Sequence, residues 1–537
     1  MKEHAKRFDD KIFNALLTLL YQGNPRVLAL DHDRKLRART LAGLSAMTGG
    51  LGFTPLQWKA PIAYLASMLA GAGDPAFRAV RRSLQGEIDV AFDMTLNLLG
   101  LQEHLPAGHP ATRVLPTHAD HFFEHGRTIE IKKNKRAKVQ SILMELVNEQ
   151  ARSTLEEDIL RSAGTPKLGK SDAAHFLTAL RRSQLSRMVT APRGIRANEV
   201  QSSYFAATAL HYLNLPQHQI WNLGLLGEGG CRAEPCRNNH DSNCFLDQNG
   251  DHIVGCTSSN RARQSLHGAF NRVFVNAALE IPGMTAQLEP PTVDLLQGDY
   301  TEEQCRTLFP HRSTQQLRRD ADTCAQILNR LHNSLGADRM RHQRSLDEFL
   351  TAVGDNTKGL RVDIAIRARN GQLVLVDGSC IHATSTSKRD RLFSFLVDKA
   401  TRDVVNTGTE AEMSPPVEEA QGNKKQKYDP LLNRVRARES RMGTRRTHLA
   451  RFFGCIMTHD GEFSHDTFAL IEWLVKQYRL SLTTEECWGK QSKGSMAADF
   501  RTRIKDGLVA AMANGWGRML KEGGFPLRKH RRECVLL

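Results

Sequence analysis

Residues 361–385, RVDIAIRARNGQLVLVDGSCIHATS, restrict the fold more than any other stretch of this 537-residue chain. Val362, Ile364 and Ile366 alternate with more polar positions, as a half-buried strand requires. Asn370-Gly371 favours a tight reversal, and residues 373–376 form a short apolar run that ends at Asp377. The segment therefore reads as two adjacent strands joined by a turn, with Asp363 on one and Asp377 on the other. Neighbouring carboxylates repel, and a shared divalent cation such as Mg²⁺ or Mn²⁺ is a physical reason to keep both. The plainer alternative is that Asp363 caps a strand and Asp377 opens a turn.

A second dense segment lies upstream, CRAEPCRNNHDSNCFLDQNGDHIVGC. It brings Cys231, Cys236, Cys244 and Cys256 together with His240 and His252 in a stretch too polar to form a core. Thiolates and imidazoles at this density suit a tetrahedral Zn²⁺ site. The favoured ligands are Cys244, His252 and Cys256, with either Cys231 or Cys236 as the fourth. The remaining cysteines are scattered without a pairing pattern, which favours a metal over disulfides and a reduced, intracellular setting. The first residues lack the apolar core of a signal peptide, and no apolar run is long enough to span a bilayer.

The formal net charge of +16 points to a polyanionic partner, because Lys and Arg that neutralise phosphates release counterions. Basic residues concentrate at 127–138, 424–451 and 528–532. Lys132 and Lys133 stand out in the first run, and Lys425, Arg434, Arg436 and Arg438 in the second, as candidate nucleic-acid contacts. A solvated helical face is the ordinary explanation of such a run. The second run directly follows the carboxylate pair, which suits a phosphate-binding wall or a nuclear localisation signal.

Helical spacing of apolar residues is clear at 12–21, 56–70, 141–185, 203–213 and 263–279. A short strand is expected at 285–289, polar helices at 300–353, a flexible acidic loop at 410–423, and a basic helix at 424–441 broken or restarted at Pro430. A buried strand at 451–456, a turn at Asp460-Gly461 and a helix at 466–478 complete an α/β pattern for this part of the chain.

Together these residues resemble the C-terminal part of non-LTR retrotransposon polyproteins carrying a restriction-like endonuclease. In that family a reverse transcriptase is followed by a helical linker, a Cys-Cys-His-Cys zinc knuckle and a nuclease of the PD-(D/E)xK superfamily. The likeness covers about 49–478. GDHIVGC, with His252 and Cys256, resembles the end of the knuckle. RVDI, with Asp363, resembles the family's Arg/Lys-Pro-Asp-Ile motif, and VDGSCIH, with Asp377, its second carboxylate strand. Lys424-x-x-Lys427-Tyr428 resembles a Lys/Tyr element on the following helix, and GGLGF with APIAYLAS resembles the region just after the reverse transcriptase palm.

The resemblance implies a multidomain α+β chain. Residues 1–125 correspond to a post-palm helical region, 126–225 to a helical linker and 226–260 to the zinc knuckle. Residues 261–480 correspond to an endonuclease with a mixed central sheet and an insertion at 300–353, and 481–537 to a basic helical tail. Asp363 and Asp377, with Glu289 as a third candidate, are expected to bind Mg²⁺. Lys424, or second Lys427, would stabilise charge on the scissile phosphate, with Tyr428 orienting the lysine. Nicking of double-stranded DNA in the nucleus would expose a 3′ end that primes copying of element RNA. The polymerase would come in trans or from a longer parent chain, since no Tyr/Phe-x-Asp-Asp box is present. The chain also departs from the pattern. Val362 replaces a proline, Ser379 stands where the superfamily places a lysine, and Gln421 stands where the Lys/Tyr element has a glutamate. The alternative is an inactive nucleic-acid-binding remnant.

Overall fold

A computed structural model describes residues 2–21, 30–72, 74–128, 135–165, 168–181, 183–188, 200, 202–217, 260–290, 362–383, 386–400, 413–441, 443, 449–482 and 492–519. The cysteine and histidine cluster, the insertion, Lys132, Lys133 and the 528–532 basic run lie outside them, and Arg438 is described only as a position in a helix.

The chain is mostly helical, with one small mixed sheet. Among the described residues eight α-helices come first: α1 (Lys2–Leu20), α2 (His32–Gly43), α3 (Leu56–Gly71), α4 (Pro75–Leu98), α5 (Phe122–Thr128), α6 (Lys135–Ser162), α7 (Lys170–Arg181) and α8 (Ser202–Tyr212). Then follow α9 (Asn260–Leu279), β1 (Thr285–Leu288), β2 (Ile364–Arg367), β3 (Leu373–Ile381), α10 (Thr386–Ala400), α11 (Pro415–Arg441), β4 (Arg451–Thr458), α12 (His465–Ser481) and α13 (Lys493–Arg518). Among the described residues no helix is long and apolar enough to cross a membrane.

The strands lie in the order β1-β2-β3-β4. β1–β2 and β2–β3 are antiparallel, while β4 runs parallel to β3. The predicted hairpin is present, but its loop is longer than a two-residue turn. Arg367 pairs with Leu373, and the Ala368 N–H donates to the Gln372 carbonyl at 2.9 Å. Gly371 alone in the loop takes positive φ, at 84°, so this is a three-residue loop with glycine in the left-handed position rather than a two-residue loop with both residues left-handed. The Asn370 side chain accepts from the Gln372 N–H at 3.1 Å and holds the reversal.

Strand alternation gives the sheet two apolar faces. Ile364, Ile366, Val374, Val376 and Cys455 face one way, into a core with Phe270 and Phe274 of α9, Trp516 of α13 and Phe176 of α7. Leu373, Leu375 and Phe452 face the other way, against Tyr428, Leu431, Leu432 and Val435 of α11. The first core also takes in Leu17 of α1, Tyr21 just past its end and Leu41 of α2, so the early helices and the sheet share one interior. A separate core joins α3 to α6 through residues such as Ile62, Leu69, Phe92, Phe122 and Val147.

Several local expectations are corrected. The acidic stretch at 410–423 is helical from Pro415, because two prolines in a first turn forfeit only N–H groups that a helix leaves unbonded. Pro430 does not break α11 either, since Tyr428, Leu431, Leu432 and Val435 are buried on both sides of it and fix the helix to the sheet. Within the region read as a basic tail, α13 is largely buried, packing on α8, α9 and α12. Asp377 lies inside β3, not at its end.

Candidate active site

The sheet brings the two sequence-predicted carboxylates together. Asp363 immediately precedes β2 and Asp377 sits in β3, where the pairing of Ile364 with Val376 places them as neighbours. Both are buried, Asp363 at 9 % and Asp377 at 6 % exposure. The Gly378 N–H donates to Asp363 Oδ2 at 2.6 Å and fixes that oxygen.

Each sheet face contributes a nitrogen donor. From α9, His267 Nε2 lies 2.9 Å from Asp363 Oδ2 and 3.2 Å from the Gly378 carbonyl, with Asn271 Nδ2 farther off at 3.4 Å. The carboxylate and the carbonyl only accept, so this nitrogen donates to them. From α11, Lys424 Nζ donates to Asp377 Oδ2 and, at 3.0 Å, to the same Gly378 carbonyl. Gly378 is needed for this convergence: a Cβ there would stand 2.5 Å from Asn271 Oδ1 and 3.1 Å from the Phe270 ring, so glycine lets α9 approach the strand.

Burial pushes the Asp377 carboxyl up to about 6, a rise that Lys424 opposes and Asp363 increases. Burial also acts to raise Asp363, but the His267 hydrogen bond and charge together with the Gly378 N–H outweigh it and leave this carboxyl below its usual range. The hydrogen bond to Asp363 raises the His267 imidazole, against the effect of burial. Two carboxylates in nearly the same place thus have opposite proton affinities, the arrangement that separates acid from base roles in a site.

Lys424 is the lysine that reaches the carboxylates. Lys427 is exposed and lies 3.5 Å from the Tyr428 hydroxyl. Tyr428 is buried, stacks on Phe452 at 4.9 Å and hydrogen bonds Asp377; burial drives its phenol far above the ordinary range. Glu289 enters through its backbone: its N–H donates to the Asp363 carbonyl at 2.7 Å, and the residue is exposed with φ of 45°. Gln421 is buried and its Oε1 accepts from the Asp466 N–H at 3.1 Å, supporting the neighbouring helix.

Of the expected nucleic-acid contacts, Lys425 is exposed and pairs with Asp466 Oδ1 at 2.9 Å. Arg436 donates to the Ala450 carbonyl at 2.8 Å, and Arg434 is half-buried on the same helix. His267 and Asn271 were not singled out from the sequence. Their signal was a His and an Asn four residues apart on an amphipathic helix, a spacing that puts both on one face just ahead of the first strand. Comparison with protein-family models gives no match, and a search of curated proteins likewise finds none.

Proposed function

We propose that this chain is a divalent-metal-dependent DNA endonuclease related to the restriction-like nucleases of non-LTR retrotransposons, without reverse transcriptase activity of its own. The observation that carries the reading is the meeting of Asp363, Asp377, the Gly378 carbonyl and Lys424 at one point on the sheet, from segments the sequence motifs had already singled out.

The donors fit a hard cation. Two carboxylates and a carbonyl offer only oxygen, the ligand type that Mg²⁺ and Mn²⁺ prefer. Asp363, Asp377 and the Gly378 carbonyl would hold the ion, which would supply Lewis acidity and a more acidic bound water. The chain's own groups prepare this site. The Gly378 N–H and His267 fix the orientation of Asp363, and Tyr428 does the same for Asp377. Lys424 Nζ is a short move from any phosphate oxygen placed at the carboxylates, where it would offset charge developing in the transition state. Exposed Lys425 on the same helix would meet the flanking backbone, a contact that sets register without reading sequence.

One observation favours the second reading, an inactive nucleic-acid-binding remnant. His267 and Lys424 already balance the two carboxylates, so the cluster is a satisfied ion-pair network as it stands. Nicking of supercoiled plasmid with Mg²⁺ or Mn²⁺ separates the two readings. Metal-dependent nicking that falls at least about 100-fold in folded Asp363→Ala and Asp377→Ala proteins establishes the nuclease, since loss of a ligand should cost no less than loss of its supporting groups. Salt-sensitive plasmid binding with no cleavage above the variants establishes the remnant.

A further inference from the structure

A second polar cluster lies inside the main core, apart from the carboxylate pair. His175 comes from α7, His211 from α8, and His459 and Asp460 from the turn that follows β4. His175 Nδ1, His459 Nε2 and His211 Nε2 lie 3.0, 3.2 and 3.4 Å from one oxygen, Asp460 Oδ1. Ligand atoms of His175, His211 and Asp460 all lie within 4.8 Å of one another. Asp460 and His211 are almost wholly buried, and His175 and His459 nearly so.

Hydrogen bonding alone accounts poorly for this arrangement. Three imidazoles crowd one carboxylate oxygen, and neither Asp460 oxygen meets hydrogen-bond geometry among the described residues. A buried carboxylate left in that state is costly. A cation among His175, His211 and Asp460 removes the difficulty, because neutral imidazoles and an ionised carboxylate can all direct lone pairs at it. The 3.0 and 3.4 Å from the His175 and His211 nitrogens to the carboxylate oxygen suit a small ion, since zinc-ligand bonds of about 2.0–2.1 Å put ligand atoms about 3.3–3.4 Å apart.

We propose that His175, His211 and Asp460 hold a structural zinc ion that ties two helices of the N-terminal half to the end of the sheet, with His459 packed beside the carboxylate. All three ligands are buried, so the ion is shut off from substrate and holds the fold rather than doing chemistry. The surroundings position the ligands. The Trp516 ring of α13 lies 4.1 Å from the His211 ring, and His382 lies 4.2 Å from His459. The turn itself is docked beside α7: the Gln184 N–H donates to the Gly461 carbonyl at 2.9 Å, and Gly461 has φ of 90° with no room for a Cβ against Ser183 and Leu185. Support of this kind is what metal ligands require. The site is independent of the nuclease reading and of the cysteine cluster upstream.

Metal analysis and zinc-edge X-ray absorption on the full chain test the proposal, using the parent and a Cys244→Ser/Cys256→Ser protein. The expected result is that the cysteine variant keeps about one zinc per chain, bound only by nitrogen and oxygen at about 2.0–2.1 Å. Adding His211→Gln or Asp460→Asn to that variant should then release it. Cobalt loading of the parent provides a readout that does not depend on the cysteine variant folding: a cobalt species without thiolate charge-transfer absorption is expected. A folded cysteine variant that binds no zinc, or a parent whose bound metal is all thiolate-ligated, overturns the proposal and leaves the four residues as a hydrogen-bonded cluster.

Discussion

The carboxylate pair on the sheet and the histidine cluster in the core use similar groups for opposite ends. Each sets ionised carboxylate against imidazole, but the first is partly open and the second is sealed. The His267 side chain is 35 % exposed and Lys424 18 %, whereas the side chains of His211 and Asp460 are each at 1 %. An open site lets an ion or phosphate replace a side chain that now covers a carboxylate. A sealed site has no such exchange and can only contribute to holding its elements together. Titration marks the open site: burial favours the protonated form of Asp377.

The largest effect expected from this contrast is on stability. Asp460→Ala should cost about 3–5 kcal/mol, because it strands three buried imidazoles, and chemical denaturation would show it as a lower midpoint. Equal stability of parent and variant would remove the distinction between the clusters. Next is Lys424→Ala, which should lower metal-dependent nicking by about 10²–10³-fold. Lys427→Ala should leave nicking within a few-fold, since Lys427 touches Tyr428 and not the carboxylates. Gly378→Ala comes third. Its Cβ would press on Asn271 and Phe270, so a destabilisation of about 1–3 kcal/mol is expected, with weaker nicking as α9 withdraws His267.

The smallest effect is a pH dependence of the metal-free protein. The folded Asp377 carboxyl, at about 6, lies above its ordinary value of 3.8. Its contribution to stability is therefore complete below about pH 3.8 and is lost as pH rises through about 6. Relative to Asp377→Asn, the parent should lose stability across that window, and parallel curves for the two proteins would contradict the assigned direction.

The carboxylate site was largely legible in the sequence because its parts are local. Alternation at 362–366, the Asn370-Gly371 reversal and the run before Asp377 are read within one short segment, and Lys424 lay within reach through its motif. The start of α11 was not legible, because Pro415 and Pro416 followed by acidic residues have the composition of a loop, and only burial against the sheet shows how little the prolines cost there. His267 was hidden for a different reason: a polar residue on an amphipathic helix reads as solvent-facing until the packing of α9 is known. The histidine cluster was least accessible, since His175, His211 and Asp460 are brought together only by the packing of α7, α8 and the turn after β4.

The junction of β1 and β2 bears on how a chain like this can change length. Leu288 pairs with Ile364, and the Glu289 N–H meets the Asp363 carbonyl, so the two ends of the intervening chain are clamped side by side. Both ends are fixed by this pairing, so a change in the length of the chain between them leaves the register of β1 with β2, and the place of Asp363, as they are. The stretch from Asp363 to Gly378 has no such freedom, because losing one residue would reverse which face every following side chain of β3 presents. Insertions and deletions should accumulate on one side of Asp363 and be purged on the other.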